Sequence, residues 1–313
     1  MSIKIIGDST MDLSPEVQKK LGISCVPFTV EFGETPRKDT TFSNDELFDY
    51  NKTHKDICKT SAVNVGEVEE FYNRFNKDDD LIYFSISSKL SSGCQNALIA
   101  ADDNPKIHVV DSESFSLGIA LMAIKAKEMV DEGKTVDEIL NVIEDYKKNT
   151  VASLIIDDLS FMARGGRISK AVALAAGALR IHPILSTKDG TFFVFKKLIG
   201  KTNKLGKKYV ESVLEGQEDI DYSLALVGYT SEIDEGVTTI VEELKAKGFE
   251  RVEISRTNST NAVHGGPNVY GIAFCASNKG KKHRSYIDRF ASMLNRKAAE
   301  KAIADELNKY YKD

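Results

Sequence analysis

The chain has 313 residues, 42% of them hydrophobic and 28% charged. That composition supplies enough apolar material for a sizeable core and excludes whole-chain disorder. Lys plus Arg number 42 against 47 Asp plus Glu, so the net charge of −5 argues against general nucleic-acid binding, although residues 196–208 form a local basic stretch.

At roughly 100–200 residues per domain, the length predicts two domains or one large one. The longest apolar runs, such as residues 171–179, are too short to span a bilayer, so no stable membrane insertion is expected. Residues 1–10 lack the basic start and long apolar stretch of a signal peptide, and a cytoplasmic location is expected. The cysteines, Cys25, Cys58, Cys94 and Cys275, form no CxxC pair and are expected to be free thiols rather than zinc ligands.

Residues 3–6 are mostly apolar and predict a strand ending in Gly7-Asp8-Ser9-Thr10. Ser14-Pro15 then opens a helix, with Ser as cap and Pro at the first helical position, and Gly22 stops it. Residues 23–32 predict a second strand. Ser43-Asn44-Asp45-Glu46 reads as a capping box before a helix over 44–50, and the apolar spacing of Val65, Val68, Phe71, Tyr72 and Phe75 predicts another. A buried strand over 81–87 leads through a Ser/Gly loop into a helix reaching about 101, and a strand over 107–111 follows. The next helix covers about 116–130 and ends at Gly133. Thr135-Val136-Asp137-Glu138 is a second capping box, opening a helix to about 148. This alternation of strand and helix predicts an α/β fold, with a mostly parallel, Rossmann-like sheet in an N-terminal domain over 1–155.

After about residue 155 the rhythm changes. A Gly-rich stretch, Arg164-Gly165-Gly166-Arg167, precedes an Ala-rich helix over 169–179. Residues 181–185 and 191–196 predict a hairpin around Asp189-Gly190. A helix (204–214), a strand (224–228), a helix (233–247) and a strand (251–256) come next. A loop over 258–268 then leads to a last strand over 270–275. The mixture of hairpin and crossovers predicts a mixed-sheet C-terminal domain over 156–280, and residues 281–313 read as a terminal amphipathic helix.

Several common chemistries fail on inspection. Gly133-Lys134-Thr135 has the tail of a phosphate-binding Walker A loop, but Glu128 stands where its first Gly belongs. There is no GxGxxG and no HExxH, and the five histidines are dispersed, so no nucleotide cofactor or metal is expected. The hydroxyls are more informative. Ser85-Ile86-Ser87-Ser88-Lys89-Leu90-Ser91-Ser92-Gly93 sits where a strand gives way to a helix, a setting suited to anions. Ser91 or Ser92 reads equally well as a plain helix cap. Thr60-Ser61 precedes another helix and carries the same two readings. Asp8-Ser9-Thr10 ends the first strand, at the edge where ligands of open α/β sheets sit. His264-Gly265-Gly266-Pro267 places a loop histidine among residues that permit close backbone approach.

Together these segments resemble the DegV family. The resemblance rests on Asp8-Ser9-Thr10-Met11-Asp12-Leu13, Lys59-Thr60-Ser61, and Ile86-Ser87-Ser88-Lys89-Leu90-Ser91 with Gln95 and Ala97. It continues through Val110-Asp111-Ser112, Arg164-Gly165-Gly166-Arg167-Ile168-Ser169, Ile181-His182-Pro183-Ile184-Leu185 and His264-Gly265-Gly266-Pro267, in family order over about residues 3–275. It implies a two-domain α/β protein holding one long-chain fatty acid between its domains, without chemistry of its own. It implies a partner as well, a fatty acid kinase subunit of the dihydroxyacetone-kinase type that makes the acyl phosphate from ATP. Thr60 and Ser91 resemble the hydroxyls that bind the carboxyl group, with Ser61, Ser92 and Gly265 beside them, and His264 resembles the nearby histidine. Arg167 resembles an arginine that faces the kinase. Departures are Leu90-Ser91-Ser92-Gly93 where Leu-Ser-Gly-Thr is common, His182 where a Lys usually precedes the Pro, and Lys201 in a stretch where an Arg is expected. A lysine does not reproduce the bidentate fork of an arginine.

The physics of a fatty acid fits a long apolar slot that is polar at one end. The helix over 171–179, with Phe28, Phe161 and Ile184, is a candidate lining. A reading from a different class is a serine acyl hydrolase with Ser91 as nucleophile and His264 as base. It lacks a GxSxG elbow, and its chain order departs from those enzymes.

Overall fold

The computed structural model describes residues 2–54, 58–168 and 181–277. The expected helices over 169–179 and from 281 onward lie outside the described residues.

The N-terminal part is built on a four-stranded sheet. Its strands are β1 (Ile3–Asp8), β2 (Ser24–Val26), β6 (Asp80–Ser85) and β7 (Ile107–Asp111), in the order β2-β1-β6-β7 and all parallel. β6 is mainly apolar between its Asp80 and Ser85 ends and buried from Leu81 to Ser85, as a strand covered on both faces must be. Three further strands, β3 (Thr29–Phe32), β4 (Thr35–Lys38) and β5 (Lys59–Ser61), form a separate antiparallel sheet in the order β4-β3-β5. The single strand expected over 23–32 is therefore two strands in two sheets. Pro27 has no N–H to give a ladder, and the Phe28 N–H donates to Ser9 Oγ at 3.0 Å.

Several helices start at side-chain caps. α1 (Pro15–Leu21) has Ser14 Oγ accepting from Val17 N–H and closes on Gly22 at φ +66°. Ser43 caps α2 (Asn44–Thr53), but the return half of the expected box is missing because Glu46 pairs with Arg37. α3 (Val65–Tyr72) opens on a full box from Asn64 and Glu67. α4 (Gly93–Ala101) follows the Ser/Gly loop. α5 (Leu117–Asp131) is buried on nearly every side, and α6 (Val136–Asn149) carries the expected Thr135–Glu138 box.

The second part is a mixed six-stranded sheet. It contains β8 (Thr150–Ile155), β9 (Ile181–Lys188), β10 (Thr191–Ile199), β11 (Leu224–Tyr229), β12 (Arg251–Arg256) and β13 (Tyr270–Cys275). The order is β10-β9-β8-β13-β11-β12, with β11–β12 the parallel pair. Asp189 and Gly190 turn the β9–β10 hairpin at φ 50° and 78°, the left-handed pair a two-residue type I′ loop requires. α7 (Ser160–Arg164) follows β8, and α8 (Gly206–Leu214) and α9 (Glu235–Ala246) cover one face of the sheet. Where a loop was expected over 258–268 there is a short helix, α10 (Ser259–Gly265), with Asn258 as its cap. His182 is buried, its Nδ1 3.1 Å from the Ile156 carbonyl and its Nε2 2.8 Å from that of Gly200, which ties the end of β8 to the end of β10.

α5 explains its own apolarity, because it packs on β1 and β6 of the first sheet and on β8, β11 and β13 of the second. A buried polar knot makes a second tie. The Asp12 carboxylate accepts from Asn258 N–H at 2.6 Å, from Asn261 Nδ2 at 2.8 Å and from Ser116 Oγ. Asp39 Oδ2 accepts from Ser9 and Thr260, each at 2.7 Å. Burial outweighs these bonds and pushes Asp12 up to about 7 and Asp39 up to about 6.

Candidate functional site

A cavity of about 450 Å³ opens where the loops after β5, β6, β7 and β11 meet α10 and the inner face of the second sheet. That volume lies within the usual range for small-molecule sites. Thr60, Ser61, Ser91, Ser92, Arg167, His264 and Gly265, singled out from separate stretches of sequence, all stand on its wall. The rest of the wall is largely apolar, with Phe28, Phe115, Leu154, Met162 and Phe192 among its members. Phe115 and Phe192 meet there as a tilted pair, centroids 4.8 Å apart.

His264 sits in the last turn of α10, and its Nε2 lies 2.8 Å from Thr60 Oγ1 on β5. Its Nδ1 is buried without a polar partner and faces the Cα of Gly165. A Cβ at Gly165 would stand 2.3 Å from that nitrogen, so the Gly165-Gly166 pair leaves the imidazole its place. Gly166, at φ +74°, makes the turn itself. Burial, and secondarily the nearby Arg167 guanidinium, hold His264 down to about 4, so the ring is neutral near pH 7. A neutral ring carries one proton. The carbon surface of Gly165 against Nδ1 favours that proton on Nε2, from which it donates to Thr60. The Thr60 hydroxyl proton is then free for a guest.

Ser91 lines the same cavity from the loop before α4. Its Oγ accepts from Gly93 N–H at 3.2 Å, a local turn contact that leaves its own proton free. Ser92 is the α4 cap residue and makes no side-chain cap bond. The plain-cap reading therefore does not account for Ser92, and it accounts for only the acceptor side of Ser91. Thr60 and Ser61 differ from expectation. They lie on an edge strand rather than at a helix start, where Asn64 is the cap, and their side chains alternate. Ser61 Oγ donates to Glu31 at 2.6 Å, so its proton is spent within the sheet.

Arg167 is half-buried, and burial lowers its pKa below the usual guanidinium range. Its guanidinium donates to the Leu90 carbonyl at 3.0 Å and to that of Gly165, bridging the serine loop to the end of α7. The polar end of the cavity thus combines two free hydroxyl protons with a fixed cation, a set suited to a carboxylate. In the sequence Arg167 read as a partner-facing residue, and its contact with the Leu90 carbonyl, 77 positions away, left no local signal.

Two lining expectations are corrected. Ile184 faces the opposite core, under α8 and α9, and Phe161 fills the space over Gly266, with its ring 2.5 Å from where a Cβ would stand. Neither reaches the cavity. The hydrolase constellation is not assembled either. His264 Nε2 faces Thr60 rather than Ser91, Nδ1 has no carboxylate behind it, and a ring held near 4 is a weak base. Among the described residues, no cluster of three or more His, Cys, Asp or Glu is placed to hold a metal, and no helix is long and apolar enough to cross a membrane.

A family model described as "uncharacterised protein, DegV family" matches residues 2–277. The DegV domain-containing protein YteA of Lactococcus lactis is 31% identical over 301 residues, covering 90% of this chain and 100% of that one. A DegV family protein of Thermus thermophilus, solved as a study of fatty acid binding, has a TM-score of 0.79 at 27% identity, over 88% of this chain and 100% of that one. The B3 protein of Streptococcus pneumoniae fatty acid kinase, solved with linoleic acid, has a TM-score of 0.76 at 18% identity over 88% of this chain and 99% of that one, and so shares the fold.

Proposed function

Since this chain belongs to the DegV family across residues 2–277, we propose that it binds one long-chain fatty acid and presents the carboxyl group to a separate kinase subunit for acyl-phosphate formation. Residues 1–155 and 156–280 are then its two lobes, with the acid between them. The observation that carries the reading is the Thr60–His264 pair at the polar end of a mainly apolar cavity. The Thermus thermophilus relative, by its description, binds fatty acid, and the Streptococcus pneumoniae protein that shares this fold was solved with one.

The tail supplies most of the affinity, at roughly 0.8 kcal/mol per buried methylene. Thr60 and Ser91 donate to the carboxylate, with Ser61, Ser92 and Gly265 framing the head group and His264 orienting Thr60. Arg167 stands on the kinase-facing side and balances the carboxylate charge. The chain has no phosphate-cradling motif, so the ATP chemistry belongs to the partner, a kinase subunit of the dihydroxyacetone-kinase type.

The test uses the pure chain with ATP and magnesium, alone and with a cognate kinase. The reading expects no ATP consumption by the chain alone and fatty-acid-dependent acyl phosphate in the mixture. ATP hydrolysis by the chain alone, or ester turnover abolished by Ser91→Ala, would overturn it.

A further inference from the structure

Where the cavity meets the six-stranded sheet, the sheet has a trough. Gly228 on β11 and Gly271 on β13 stand directly opposite each other in an antiparallel pair, so both withhold a side chain from the same face. Leu154 on β8 is the partner of Gly271 on its other side. All three line the cavity. The side chain nearest both glycines is that of Leu117, the first residue of α5, with the Thr257 methyl beside it over Gly228. A Cβ on Gly228 would stand 3.1 Å from Leu117 Cδ1, and one on Gly271 3.6 Å from it.

Leu117 is only 5% exposed, whereas Thr60 and Ser91 are half-exposed and Ser92 is exposed. Leu117 thus belongs to the buried part of the wall and Ser92 to its exposed rim. The leucine is also held in place. Ser116, just before it, takes φ 48° and ψ −124°, and its hydroxyl donates to the buried Asp12 carboxylate. That contact fixes the turn into α5 and the direction of the side chain that follows.

We propose that Leu117, laid across the Gly228–Gly271 pair, is the chain-length stop of the acyl slot, the surface against which the terminal methyl of the bound acid ends. The inference rests on the fatty-acid reading and adds the residue that sets which lengths fit. Each methylene accommodated is worth about fourfold in affinity, until the tail meets Leu117 and further length must displace it.

The experiment measures displacement of a fluorescent fatty acid by a series of saturated acids of increasing length. It compares the wild type, Leu117→Ala and Gly271→Ala. Leu117→Ala removes an isopropyl group and should move the optimum outward by about two carbons, raising affinity for the longer acid by roughly tenfold. Gly271→Ala meets nothing nearer than Ser153 O at 3.5 Å, so the new methyl fits and narrows the trough, moving the optimum inward. Should Leu117→Ala fail to fold, Gly271→Ala decides. A folded Gly271→Ala that binds acids with the wild-type length profile overturns this inference alone. Absence of any fatty-acid binding by the wild type overturns the parent reading and this one with it.

Discussion

Thr60→Val keeps the branched shape and strand preference of the side chain but removes the hydroxyl, and it has two separable consequences. The first concerns the ligand. A hydrogen bond to a charged group is worth about 1.5–3 kcal/mol, so affinity for oleate should fall by roughly one to two decades. The second concerns the fold. His264 Nδ1 already has no partner, and Nε2, now 2.8 Å from Thr60 Oγ1, would lose its own. An unsatisfied buried polar group costs about 1–3 kcal/mol, so the melting temperature should fall while the protein stays folded. Thr60→Ser retains the hydroxyl and should recover most of both losses. Displacement of a fluorescent fatty acid gives the first number and a thermal melt followed by circular dichroism the second. Thr60→Val with wild-type oleate affinity would refute the assignment of Thr60 to the carboxyl group, whatever the melt shows.

Gly165→Ala drives a methyl to within 2.3 Å of His264 Nδ1, and overpacking of this kind costs about 1–3 kcal/mol; adding His264→Ala should restore much of that stability, and a double-mutant melt without recovery would contradict the contact. Asp39 has a folded pKa raised to about 6 from an ordinary value near 4, so the native state holds the proton that the unfolded state releases. Its contribution is therefore fully present below about pH 4 and is lost as pH rises through about 6. Asp39→Asn should match the wild type near pH 4 and gain on it by up to about 3 kcal/mol near pH 7, as read by urea melts at both pH values; a constant difference would exclude that titration. Arg167→Ala removes the bridge to the Leu90 carbonyl and should lower coupled turnover with the kinase, and unaffected turnover would remove Arg167 from that role.

Local chemistry made much of the fold legible. Ser14-Pro15, Thr135 with Glu138, and Asp189-Gly190 each specify one backbone conformation from a few adjacent residues, and each element begins or turns where they stand. What escaped depends on distant partners. The break at Pro27-Phe28 is fixed by Ser9, and the lost half of the Ser43 box by Arg37. α10 is a short polar helix whose Asn258, Thr260 and Asn261 are bound by Asp12 and Asp39, a context that no local periodicity records. The site residues were visible as separate hydroxyl and glycine motifs. Their convergence was not, because the Thr60–His264 contact spans a separation of 204 residues. The place of Gly165 follows only from the ring packed against it.

The central claim, that the cavity holds a fatty acid, is tested most directly by native mass spectrometry of the protein purified under mild conditions, with the released lipid identified afterwards. The account predicts a species heavier than the chain by one long-chain fatty acid, and its loss or depletion in Thr60→Val. Apo protein alone, with no mass gained on adding oleate or palmitate, would contradict it.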